Sequence, residues 1–163
     1  FWNAGLPQQM DTSVSSSPYF KVFLASQVRA GDKGFLSRDI TVRDLILHRG
    51  DIHHIFPRDY LKKQGLTRGK YNQIANYTMM QSEINIRVGS GSPAEYFSAL
   101  WQQCETKEAV YGGIVDSDQL KENFAMHCIP AGMETMTIAD YDDFLLKRRK
   151  LMALKIRDYY HGL

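Results

Sequence analysis

Two histidines stand side by side in Asp51-Ile-His-His-Ile-Phe-Pro57, and two asparagines, Asn76 and Asn85, follow in otherwise apolar surroundings. Imidazole changes charge near neutral pH, so it can accept a proton from water or, when neutral, bind a metal ion. Neighbours on a strand point to opposite faces. One of His53 and His54 can therefore face a metal or the interior while the other faces a substrate, provided that the chain bends at Pro57. The pair alone does not settle function, because a histidine on an apolar strand is more often simply packed or exposed. An asparagine in Ile74-Ala-Asn-Tyr-Thr78, or in a short apolar helix, more often caps or turns the chain. Taken together, His, His, Asn and Asn have the make-up of a strand–loop–strand–helix metal site, with coordination positions left open to water and phosphate oxygens.

The elements that must hold these residues are read from local signals. Asp51–Phe56 is rich in β-branched and aromatic residues and stops at Pro57, which predicts a strand. Ile74–Met80 is a second candidate strand, and Ser82–Val88 a short helix ended by Gly89-Ser-Gly-Ser92. Around them the signals are helical. Ser17-Pro18 opens a helix that carries Phe20, Phe23, Leu24 and Val28 and ends at Gly31. Thr41-Val-Arg-Asp44 is a capping box with Asp in place of Glu, and its helix stops near Gly50. Tyr60-Leu-Lys-Lys63 reads as a helical turn closed by Gly65. Ser92-Pro-Ala-Glu95 starts a helix running to about Glu105, another lies near Asp118–His127, and the last begins near Thr137. That last helix puts Tyr141, Leu145, Met152, Ile156 and Tyr159 on one stripe, with the basic run Lys147–Lys150 expected on its solvated face. The expected class is α+β, mostly helical: one domain over 1–163, with a small strand-containing core at about 51–90 and flanking helices over 18–49 and 93–163.

Asp51-Ile-His-His-Ile-Phe-Pro57, Asn76, Asn85 and Pro93 resemble the HNH, or ββα-metal, nuclease signature: D-x-[DH]-H-I-x-P, two asparagines nine residues apart, and a proline eight residues beyond the second. The chain is most similar to the C-terminal nuclease domains of GmrSD-type modification-dependent restriction systems. The resemblance lies in His53-His-Ile-Phe-Pro-Arg-Asp-Tyr-Leu-Lys-Lys63, Ile74-Ala-Asn76, Asn85-Ile-Arg-Val-Gly89 and Ser92-Pro-Ala-Glu-Tyr-Phe97. It covers roughly residues 35–97, and the C-terminal helices more loosely.

The resemblance implies a small ββα-metal motif embedded in a helical domain, and a role for each residue. His54 would take a proton from water as general base, and His53 and Asn85 would hold one divalent metal ion, Mg²⁺ in the first instance. Asn76 would bond across the loop and hold the catalytic geometry, with Asp51 orienting a ligand from behind. It also implies DNA as substrate, a nucleotide-binding domain preceding this one in a longer protein, and a part in restriction or phage defence. The chain departs from the pattern in three ways. Many relatives have Asp where His53 stands, and imidazole moves the preference towards Mn²⁺, Ni²⁺ or Zn²⁺. Many have a cation where Val88 stands, which leaves Arg87 to supply it. The cysteine zinc knuckle of some HNH proteins is missing.

Composition narrows the remaining possibilities. The chain is 44% apolar and 23% charged, too apolar for a disordered segment and with no run approaching a membrane span. Its net charge of +2 does not argue for nucleic acid, but Arg58, Lys62, Lys63, Arg68 and Lys70 cluster locally. Of these Arg58, Lys62 and Lys63, with Arg87, are the expected phosphate contacts. Cys104 and Cys128 are too few and too far apart for a disulfide framework or a cysteine-built zinc site, which suits a reducing cytoplasm. The sequence begins Phe1-Trp-Asn3 without a signal-peptide pattern and reads as a C-terminal fragment. Beside a DNA endonuclease, the alternative is a catalytically silent module of the same fold that grips nucleic acid or a partner.

Overall fold

The computed structural model describes residues 1–48 and 50–163. Position 49, at the end of the flanking segment expected over 18–49, lies outside the described residues. The chain is mostly helical with one two-stranded antiparallel sheet, an α+β arrangement.

Before the sheet come α1 (Gly5–Gln9), α2 (Pro18–Ala30) and α3 (Val42–Leu47). Ser17 caps α2 by accepting from the Tyr19 backbone N–H at 3.3 Å, and Gly31 closes it in the left-handed region at φ 71°. The capping box of α3 is complete: Asp44 N–H donates to Thr41 Oγ1 at 3.0 Å, and Thr41 N–H donates to Asp44 Oδ2 at 3.0 Å. The short α1 carries no cap signal in the sequence. It is held by burial of Leu6 and Met10 against the core.

Strand β1 (Ile52–His54) pairs with β2 (Tyr77–Met79), matching Ile52 with Met79, His53 with Thr78 and His54 with Tyr77. Both strands are shorter than the sequence suggests. The second expected strand over 74–80 begins instead with a 3-10 turn at Ile74–Asn76. The reason is Asn76. Its side chain turns inward and replaces ladder bonds, with Oδ1 accepting from Phe56 N–H at 2.8 Å and Nδ2 donating to Phe56 O at 3.0 Å. Phe56 therefore belongs to a pinned loop, and β1 stops at His54.

Between the strands lie α4 (Arg58–Lys63) and α5 (Arg68–Tyr71). After β2 come α6 (Ser82–Val88), α7 (Pro93–Thr106), α8 (Ser117–Met126) and α9 (Tyr141–His161). Ser92 caps α7, accepting from Glu95 N–H at 3.2 Å with Pro93 in the first turn. The core is aromatic. The Phe56 ring meets Phe144 at 4.8 Å and Tyr141 at 5.1 Å, fastening the loop after β1 to α9. A smaller apolar cluster of Val42, Leu45 and Met79 attaches α3 to β2.

The basic run on α9 is not a solvated face throughout. Arg148 is fully buried, at 0% exposure. Its Nε donates to His127 O at 3.1 Å, and one terminal nitrogen donates to Ala75 O at 2.9 Å and to Tyr77 O at 2.6 Å. The stripe that sequence periodicity assigned to apolar residues thus includes a guanidinium, accepted there because a planar fork of donors matches carbonyls that the 3-10 turn and the end of α8 leave free. Burial lowers its pKa to about 10, still protonated at neutral pH. Arg149 also turns inward, donating to Gln73 Oε1 at 3.2 Å and pairing with Asp11 at 3.3 Å. Lys147 alone of this stretch makes an exposed helical pair, with Asp143 at 2.8 Å.

Candidate active site

The sheet and α6 border a cleft of about 410 Å³ lined by Asp51, His53, His54, Arg58, Asp59 and Asn85, among others. Although strand neighbours diverge, both imidazoles reach this cleft, because β1 ends at once and the chain turns at Pro57.

His54 is held on three sides. Its ring meets the edge of Tyr77, its partner in the register, at 5.3 Å and 74°, and Tyr71 lies at 6.5 Å. Its Nε2 stands 2.9 Å from Oδ1 of Asn72. Burial lowers its pKa from the ordinary histidine value; the hydrogen bond to Asn72 opposes this, and the charges of Arg58 and His53 add to it. The shift favours the neutral ring, the form that can accept a proton.

His53 sits opposite Thr78 and is also kept below the ordinary histidine pKa by burial, with the nearby Asp51 carboxylate pulling the other way. Its Nε2 is buried and has no hydrogen-bond partner among the described residues. A dry, unpaired nitrogen is costly unless something fills its lone pair. Asn85, half-buried in the middle of α6, lines the same cleft, and its carboxamide makes no hydrogen bond among the described residues. One free imidazole nitrogen and one free carboxamide oxygen suit a divalent cation that completes its shell with water and phosphate oxygens. No cluster of three or more His, Cys, Asp or Glu able to hold a metal exists among the described residues, so the protein would supply few of the ligands itself.

Asn76 does not line the cleft. It is fully buried at 0% exposure, and its two bonds to Phe56 hold the loop that follows the histidines. Asp51 is exposed on the cleft wall. Of the cationic residues, Arg58 lines the cleft, while Lys62, Lys63 and Arg87 are exposed outside it. Lys62 lies over the Tyr71 ring at 6.0 Å, and Lys63 donates to Ser90 Oγ at 3.3 Å.

Two residues of the site escaped the sequence reading, one bonded to His54 and one on the cleft wall. Asn72, at the end of a one-turn helix, has no periodicity or motif spacing that ties it to His54. Asp59 reads in sequence only as an acidic residue in the first turn of α4. A third histidine, His127, is fully buried away from the cleft, with Nε2 donating to Lys33 O at 2.7 Å and Nδ1 near Gln27 and Thr78. Burial drives its pKa down to about 3. Among the described residues no helix is long and apolar enough to cross a membrane. Comparison with protein-family models, with curated proteins and with solved structures finds no match for this chain.

Proposed function

We propose that the chain is a metal-dependent DNA endonuclease of the HNH type, the cutting part of a restriction or phage-defence protein. The observation that carries this reading is that His53, whose buried Nε2 has no partner among the described residues, lines the same cleft as Asn85 and as His54, whose own Nε2 is already engaged. His54 would accept the proton of the attacking water at Nδ1. Its lowered pKa keeps that lone pair available at neutral pH. His53 and Asn85 would hold one divalent cation, Mg²⁺ or, because His53 is an imidazole, Mn²⁺, Ni²⁺ or Zn²⁺. When bound, that cation supplies Lewis-acid charge for the scissile phosphate and the leaving oxygen. Arg58 on the cleft wall would draw the phosphate in, while Lys62, Lys63 and Arg87 track the backbone on either side. Asn76 keeps the loop after β1 in place, a supporting task.

The test is conversion of supercoiled plasmid to open circle by this chain with a series of divalent metals, and its suppression by EDTA. Nicking that needs metal and disappears in His54→Ala is the expected result. Metal-dependent DNA binding without nicking would favour the catalytically silent module instead.

A further inference from the structure

We infer that Asn72 is the positioning residue of the proton acceptor: its carboxamide oxygen takes the Nε2–H of His54 and leaves Nδ1 as the basic atom. This rests on the nuclease reading of the cleft. A neutral imidazole carries one proton, so whichever nitrogen donates fixes the other as acceptor. The 2.9 Å approach of Nε2 is to an oxygen, which can only accept, and Nδ1 makes no hydrogen bond among the described residues.

The surrounding structure makes this contact rigid. Asn72 N–H donates to Arg68 O at 3.0 Å, closing α5. The next residue, Gln73, donates to Gly69 O at 2.8 Å and accepts from Arg149 of α9 at 3.2 Å. On the other side Tyr141 of α9 donates to Lys70 O at 2.8 Å. The chain beside Asn72 is thus tied on both flanks to α9, an element outside the strand pair, and Tyr77 and Tyr71 flank the His54 ring. The device lies outside the His-Asn-Asn pattern, supplied by a residue eighteen positions along the chain.

Two measurements test it. In the first, ¹⁵N spectra of the metal-free wild-type chain report which His54 nitrogen carries the proton, and Nε2 protonated with Nδ1 bare is expected. In the second, plasmid nicking is compared in Asn72→Leu, which keeps the size and removes the oxygen, and in Asn72→Asp, which keeps an acceptor. Loss of such an orienting partner typically costs about 10–100-fold. Asn72→Leu should lose that much in kcat with little change in KM for DNA, and Asn72→Asp should recover most of it. A proton on Nδ1 in the wild type would overturn the inference, as would an undiminished Asn72→Leu or an Asn72→Asp as poor as the leucine variant. A wild type that does not nick with any metal would instead overturn the nuclease reading, and the positioning role with it.

Discussion

A histidine that must take a proton from water works only in its uncharged form, and burial gives His54 that form over a wider pH range than free histidine has. The sign follows directly. The folded pKa is lowered from the ordinary 6.5, so the acid limb of kcat/KM for nicking should be centred below that value, with the rate rising through it to a plateau at higher pH. An acid limb centred above pH 6.5 would contradict the environment described for this ring. Replacing it by alanine should cost about 10²–10⁴-fold in rate while leaving metal affinity nearly intact. Its neighbour behaves oppositely. His53→Ala and Asn85→Ala each remove one of the two groups proposed to hold the cation, so titration calorimetry should show weaker Mn²⁺ or Mg²⁺ binding. Their nicking should recover in part at high metal concentration. Unchanged affinity in both variants would remove the pair from the metal site.

Asn76 belongs to the scale of elements, because what it holds is the exit of β1 relative to the entry of β2. Asn76→Ala would leave the N–H and C=O of Phe56 buried without partners, at about 1–3 kcal/mol each. Urea unfolding should show a loss of about 2–5 kcal/mol, and a loss under 1 kcal/mol would mean that the loop finds other partners. The same residue marks where the sequence stops being legible. Caps are local chemistry, so Ser17-Pro18, Thr41–Asp44 and Ser92-Pro93 place α2, α3 and α7 correctly from the chain alone. Ile74–Met80 has the composition of a strand, yet a carboxamide that bonds across the sheet converts its first turn to 3-10 geometry. That depends on Phe56, twenty residues away, which no local pattern reports. The candidate site divides in the same manner. His53, His54 and Asn85 show by type and spacing, whereas Asp59 reaches the cleft wall and Asn72 reaches His54 only through the path of α4 and α5.

At the scale of the whole molecule the charge is nearly balanced, so the proposed binding of DNA would have to come from where the cations lie. Arg58 lines the cleft, and Lys62, Lys63 and Arg87 are exposed outside it. With Arg58, Lys62, Lys63 and Arg87 as the proposed phosphate contacts, binding should track phosphates and weaken steeply with salt. Replacing Lys62 and Lys63 together by alanine should weaken binding evenly across sequences and lower the salt slope by about two. The isolated chain should nick with little sequence preference and without a nucleoside triphosphate. A discrete cutting pattern on unmodified plasmid, or a strict triphosphate requirement, would show the proposal to be wrong. Arg148 carries a last consequence, one of timing. Every cleft residue leaves the ribosome before it does, yet this side chain collects the carbonyls on both sides of Asn76 and the one that ends α8. A nascent chain stalled ahead of position 148 should therefore hold all of the cleft's chemistry in an unset scaffold. It should be readily cleaved by protease and, if the nuclease proposal holds, unable to nick, so that the order of synthesis would delay cutting until the chain is complete.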